Sequence, residues 1–333
     1  MARRNPLAKR LPRQLYIEVT NRCNSRCQTC IRTFEQLEPV RDLTLAEFRA
    51  IVDQFPILDR VVLHGIGEPL LNAELIDMIR YIKGQFHPAT VLFNSNAVLL
   101  DEDWQHALIE AQLDELRVSL DAATAATYLR IRGIDAFDTV IQNLRHFASL
   151  VQKAGRPRLS LWLTGSRENL SQLPALVDLA AEIGVPEVYV QRMVLVHHGL
   201  ARAEQSVYRQ LRAQEETALA CAARQAKAQG LDLSASGLAS PQESLHGQDN
   251  ADTPWSACYR LWTTTYITAN GNVLPCCISP FSTANYTDLV LGNVFQTPFA
   301  QIWNGEAYVN RRAALHTAQP IEPCEQCGVN WSL

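Results

Sequence analysis

Between residue 15 and about residue 193 one pattern returns six times: a β-branched run, a turn, then a stretch of helical period. The extended runs are LYIEV (15–19), RVVLH (60–64), TVLFN (90–94), ELRVSL (115–120), RLSLWLT (158–164) and EVYVQR (187–192). Short apolar or alternating runs read as strands, and apolar residues three and four apart read as helix. Parallel strands need crossover connections, usually helical, so strands alternating with helices dictate a parallel sheet with helices outside it. Two helix boundaries are explicit. Thr44 with Glu47 three residues on is a capping box, and Gly184 after LVDLAAEI is a C-terminal stop. A closed barrel takes eight such units. Six are compatible with a partial barrel or with an open doubly wound sheet, and periodicity does not choose between them.

Beyond the sixth strand lies a polar helix, residues 203–230, followed by LSASGLASPQESLHGQDNADTP, whose composition reads as a linker. In TTTYITANGNVLPCC, alternating residues flank Asn270-Gly271, the signal of a two-residue hairpin. The expected division is a basic arm (1–14), a β/α core (15–200), a helix and linker (201–252) and a small C-terminal domain (253–333). The arm carries Arg3, Arg4, Lys9, Arg10 and Arg13 without an acid and reads as a solvated tail.

With 333 residues and 47% hydrophobic content the chain has material for a sizeable core. It offers neither a signal-peptide pattern nor an apolar run of membrane-spanning length, so a cytoplasmic location with reduced thiols is expected and no membrane partner. A net charge of −4 gives no reason to expect nucleic acid. Nine cysteines, an odd number in a long chain, do not read as a disulfide framework.

Three of them, Cys23, Cys27 and Cys30, fall within eight residues just after the first strand. In a parallel α/β sheet that is the end where ligands bind. Three thiolates converging on one centre select zinc, copper(I) or iron–sulfur. Structural zinc takes four protein ligands, and this loop supplies three and no histidine. A [4Fe–4S] cluster on three cysteines keeps one iron open to a small molecule.

Cys-x3-Cys-x2-Cys in this position resembles the signature of the radical S-adenosylmethionine (SAM) enzymes, and the later strand ends match in order. HGIGEPLL (64–71) resembles the glycine-rich motif that takes the methionine amino group, which implies Gly65, Gly67 and Glu68 as cofactor contacts. NSNA (94–97) is similar to the ribose segment, implying Asn94, Ser95 and Asn96. RVSLDAATAATYLRIRG (117–133) is similar to the Ser-x-Asp segment, implying Ser119. The family usually has an aromatic residue just before the third cysteine, where Thr29 stands, and a glycine where Ala97 stands; Phe34 is one substitute for the aromatic. The resemblance covers residues 13–195 and implies a partial (β/α)6 TIM-like barrel, SAM, and a flavodoxin- or ferredoxin-type electron donor.

Five more cysteines follow residue 255. Cys258, Cys276, Cys324 and Cys327 bring four thiolates toward one centre, for which a zinc ribbon and a [4Fe–4S] cluster are chemically comparable. The spacing resembles the twitch form of the SPASM auxiliary-cluster domain, a β-hairpin and helix unit, and so implies a second [4Fe–4S] cluster with four cysteine ligands. Cys277 is left over, either a small buried residue or a hydrogen-atom donor to a substrate radical. Cys221, in an alanine-rich helix, reads as packing, and His197 and His198 as loop residues. Gln191 and Arg192, ending the sixth strand, are the candidate substrate contacts. Three functions follow: dehydrogenation or epimerisation of a small polar metabolite as the first expectation, modification of a ribosomal peptide or protein as its alternative, and a non-catalytic iron–sulfur or zinc scaffold.

Overall fold

The computed structural model describes residues 4–237, 239–247, 255, 258–281, 285–317, 319–321 and 323–324. Two compact units divide the chain: residues 1–23, 36–93 and 250–329 form one, residues 24–35, 94–249 and 330–333 the other.

The first unit contains β1 (Gln14–Ile17), α1 (Leu45–Val52), β2 (Arg60–Val62), α2 (Leu75–Gln85) and most of β3 (Thr90–Ser95). β1 pairs in parallel with β2, and β2 with β3. Leu15, Ile17, Val61, Phe48 and Met78 are fully buried. Each such side chain contributes about 1.5–3 kcal/mol through removal of apolar surface from water. The expected capping box opens α1: Thr44 Oγ1 accepts from Glu47 N (3.2 Å), and Glu47 Oε2 accepts from Thr44 N (2.9 Å).

The second unit holds α3 (Glu102–Glu110), β4 (Glu115–Ser119), α4 (Ala125–Arg132), α5 (Phe137–Ala154), β5 (Arg158–Gly165), α6 (Leu173–Ile183), β6 (Glu187–Arg192), α7 (Ala213–Gln229), β7 (Asp232–Ala235) and α8 (Pro241–His246). β4, β5, β6 and β7 form an unbroken parallel run. Gly184 ends α6 as expected, at φ +87°. β7 and α8 lie in the segment read as a linker. β7 ends its run, and among the described residues its outer edge meets only the single bridge from Ala235 to Ala239; its polar Asp232 and Ser234 tolerate that position, and they hide the strand from a hydrophobicity reading. The helix expected from residue 203 begins at Ala213, after a short 3-10 turn at Ala203–Gln205.

The C-terminal chain returns to the first unit. α9 (Arg260–Thr263) leads into β8 (Thr264–Ile267), which pairs in parallel with β1 from Gln14↔Thr264 to Ile17↔Ile267. β9 (Val273–Leu274) turns back antiparallel and ends that run of strands; α10 (Tyr286–Leu289), α11 (Phe299–Trp303) and α12 (Glu306–Ala314) follow. The expected two-residue hairpin is a longer one. Thr268 N donates to Asn272 O (2.9 Å), and Gly271 alone in the loop takes a left-handed φ, +81°. A two-residue type I′ turn needs positive φ at two central residues, whereas one left-handed glycine suits a three-residue loop.

The basic arm is not a solvated tail. Trp262 Nε1 donates to Asn5 O (2.8 Å), Trp303 Nε1 to Arg10 O (2.9 Å) and Arg312 Nη1 to Pro6 O (3.1 Å), while Arg4 lies 5.6 Å from the Trp262 ring centroid. The buried Trp303 indole and Arg312 guanidinium need acceptors, and the arm's carbonyls supply them, as one does for the half-buried Trp262.

Candidate active site

The segment leaving β1 is fixed before it reaches Cys23. Arg22 forms a two-pronged pair with Asp42 (2.9 and 2.5 Å) and donates to Leu71 O (2.9 Å); Thr20 Oγ1 donates to Asp42 (2.6 Å). The glycine-rich loop lies against it. Glu68 N donates to Arg22 O (2.7 Å), and a Cβ at Gly67 would stand 2.1 Å from Thr20 O, so only glycine permits this approach. Glu68 is buried and caps the following 3-10 turn, accepting from Leu70 N (3.2 Å). The acidic side chain therefore does local structural work as well as standing where the resemblance puts a cofactor contact.

Cys27 and Cys30 belong to the second unit, where their loop is held by backbone bonds. Arg26 N donates to Arg132 O (3.2 Å), Gln28 N to Ile131 O (2.7 Å) and Leu200 N to Gln28 O (2.7 Å). Gly133, at φ +66°, ends α4 where a Cβ would stand 2.3 Å from Arg26 O. Asn96 Nδ2 donates to Asn24 Oδ1 (2.7 Å) and Ser25 Oγ (3.1 Å). Ser95 Oγ accepts from Ala97 N (2.9 Å), steadying Ala97 at φ +58°, the left-handed geometry in which the family's glycine would be at ease. Asn96 and Ser95 thus brace their own turn and the cysteine loop, while Asn94 and Ser119 are half-buried at their strand ends. His198 stacks on Phe34 (5.3 Å) and bonds Glu35 (2.9 Å), so both rings support the loop. Arg192 lies over the Tyr208 ring (4.8 Å), and its backbone N–H donates to Ser236 (3.2 Å); Gln191 pairs in register with Thr164.

Sequence reasoning missed three groups. Arg132, buried, pairs with Asp121 (2.8 Å), and its Nε has no hydrogen-bond partner among the described residues. Burial works against its charge, but the Cys27 thiol and Asp121 outweigh this and hold it protonated. Glu18, 2% exposed and directly after β1 on the way to Cys23, is pushed up to about 7, chiefly by burial. Arg311, buried on α12, has Nε and Nη1 without hydrogen-bond partners among the described residues. The legible signal was the letter itself: a charged residue within an otherwise buried period.

In the first unit the C-terminal thiols share one neighbourhood. Cys324 packs with Trp255, Leu261 and Leu315, and Cys258 and Trp262 border that cluster. Burial raises the Cys258 and Cys324 thiols, and Cys276 adds to both shifts, while Arg4 and Arg260 oppose the shift at Cys258 and Arg311 the one at Cys324. Cys277 is pushed up to about 11 by burial and is hydrogen-bonded to Tyr16. Cys327 lies outside the described residues. Among the described residues no three His, Cys, Asp or Glu side chains are drawn into one chelating set. The donor chemistry nonetheless suits thiolate-held iron: none of Cys23, Cys27, Cys30, Cys258, Cys276 and Cys324 is tied up in a disulfide, and guanidinium groups face both sets.

A mostly parallel α/β sheet with three cysteines in the loop after its first strand, and a second group toward the C-terminus, is the arrangement expected of the radical SAM class. The chain belongs to the radical SAM superfamily, whose sequence model matches residues 17–180, and it carries at residues 258–328 the iron–sulfur cluster-binding domain SPASM. It is 26% identical over 324 residues to the PqqA peptide cyclase of Gluconobacter oxydans, covering 96% of this chain and 84% of that one. It is 25% identical over 340 residues to the AdoMet-dependent heme synthase of Methanosarcina barkeri, covering 96% and 88%. Among solved structures, Streptococcus suis SuiB bound to its precursor peptide SuiA shares the fold at TM-score 0.69 and 18% identity, over 92% of this chain and 68% of that one. The partial-barrel expectation is therefore met: an open, mostly parallel α/β sheet. No helix among the described residues is long and apolar enough to cross a membrane.

Proposed function

We propose that this radical SAM enzyme is a maturase that modifies a ribosomally made peptide or a protein. The observation that carries this reading is the similarity to a peptide cyclase over 96% of the chain. A fold neighbour solved with its precursor peptide supports it. The small polar metabolite, first in the sequence-based order, becomes the less supported substrate class.

In this reading Cys23, Cys27 and Cys30 hold a [4Fe–4S] cluster with an open iron, and Cys258, Cys276, Cys324 and Cys327 hold an auxiliary one. When bound, the first cluster and SAM together supply a 5′-deoxyadenosyl radical that takes a hydrogen atom from the substrate. A flavodoxin- or ferredoxin-type protein donates the starting electron. Gly67 keeps the loop backbone close to the Thr20–Arg22 segment, and Glu68, beside it, would take the cofactor's amino group. The buried guanidinium of Arg132 would offer its Nε, which has no hydrogen-bond partner among the described residues, to a carboxylate. Asn94 and Ser119 would contact the ribose.

The test is 5′-deoxyadenosine release from SAM under dithionite, anaerobically. Peptides encoded beside the gene are compared with sugars, aminocyclitols and amino acids. Stimulation by a peptide, with a product lighter by two hydrogen atoms, is the expected result. Stimulation by a metabolite alone would return the function to small-molecule oxidation.

A further inference from the structure

Glu18 stands where three segments of the first unit meet. Its Oε2 accepts from Ile66 N in the glycine-rich loop (2.9 Å) and from the Tyr266 hydroxyl on β8 (3.1 Å), and its Oε1 accepts from Ala269 N in the C-terminal hairpin (3.4 Å). Gly65 is shaped around it: a Cβ there would lie 2.2 Å from Glu18 Oε2 and 2.6 Å from the Tyr266 hydroxyl. Gly65 is therefore a glycine because of Glu18, as Gly67 is because of the Thr20 and Arg22 carbonyls.

We propose that Glu18 is a positioning residue that, as a carboxylate, fixes the glycine-rich loop for SAM and ties it to the C-terminal hairpin. The proposal rests on the SAM-binding reading of that loop. Two of the three donors are backbone N–H groups, which only give hydrogen bonds, so an ionised carboxylate satisfies all three and a protonated one has fewer acceptor sites. The side chain is buried, and the titratable side chains facing it are Tyr266, Glu38 and Tyr286. Glu38 is itself tied down by Tyr286 (2.7 Å), Asn272 (2.7 Å) and Asn270 (2.9 Å). Burial, with Glu38 adding like charge, raises Glu18 to about 7, so the clamp engages as pH rises through neutrality.

The experiment is equilibrium binding of SAM to anaerobically reconstituted, unreduced protein between pH 6 and 8, for wild type and Glu18→Gln. If only the ionised form clamps the loop, affinity scales with the ionised fraction. Glu18→Gln is then roughly tenfold or more weaker than wild type at pH 8, and the gap closes toward pH 6. A fixed ratio across the range, or equal binding throughout, would overturn the proposal, since a merely structural role has no reason to follow pH. Tyr266→Phe keeps the side-chain volume and removes one donor, so its binding midpoint moves to higher pH; this variant carries the test if Glu18→Gln does not fold. An unmoved midpoint counts against the clamp. Wild type that binds no SAM at any pH would remove the cofactor reading, and the proposal with it, which is distinguishable from a wild type that binds and a variant that matches it.

Discussion

Arg311 is a cation buried on α12 that makes no ion pair among the described residues; one amino group donates to Asp288 O (2.9 Å). Burial lowers its proton affinity, and the Cys324 and Cys276 thiols work against that. A buried unpaired charge is costly, and an anionic thiolate cluster is the partner that would relieve it. Arg311→Leu is thus expected to stabilise cluster-free protein by on the order of 1–4 kcal/mol and to destabilise the iron-loaded form. Thermal unfolding of both forms reads this out, and the same sign in both would sink the idea. Glu18 gives a second residue-level expectation. Its folded pKa is raised from 4.5 to about 7, so between those values the folded state holds a proton that the unfolded state has lost. Its contribution to stability therefore declines as pH climbs through that window and is level above it. Glu18→Gln removes this slope from a pH series of urea unfolding curves. Glycines differ in the same local way. Gly67→Ala drives a Cβ into backbone and costs about 1–3 kcal/mol along with SAM affinity. Gly84→Ala, in α2 with nothing within 4 Å, gains about 0.5–1 kcal/mol. Unfolding midpoints of the pair settle whether space or glycine content governs.

Among the elements, α1 was the most legible, because its capping box is written in four consecutive letters and is bonded as expected. Thr44→Ala should cost about 1 kcal/mol. Although burial acts against it, Glu47 is lowered by its bonds to Arg41 and Thr44, so that contribution is present above its unfolded pKa and disappears as pH falls through the folded value. Urea titrations at pH 7 and pH 3 check both statements. β7 was not legible, since an edge strand of alternating Asp, Leu, Ser and Ala looks like a linker until β6 supplies its hydrogen bonds. The arm failed for a related reason. It carries five basic residues and no acid, but its carbonyls serve Trp262, Trp303 and Arg312, more than 250 positions away. Deleting residues 1–13 is expected to make the C-terminal region the first to be cut in limited proteolysis, where a solvated tail would leave the pattern unchanged.

For the whole molecule the decisive count is iron. Two [4Fe–4S] clusters predict roughly eight irons and eight sulfides in wild type, and roughly four in the Cys23/Cys27/Cys30 triple alanine variant. Four in wild type with zinc in the C-terminal site would remove the auxiliary cluster. The sequence by itself determined the parallel β/α order and the two cysteine sets, because hydrophobic period and ligand spacing are local properties of the chain. It also singled out the glycine-rich loop. Only the tertiary structure decided why those glycines are there, through carbonyls and a carboxylate brought in from the segment that follows β1. It likewise decided that β8 extends the sheet from β1, that the basic arm is an internal partner, and that Glu18, Arg132 and Arg311 are buried charges. Burial and hydrogen-bond partnership depend on residues far apart in the chain, and no local pattern encodes them.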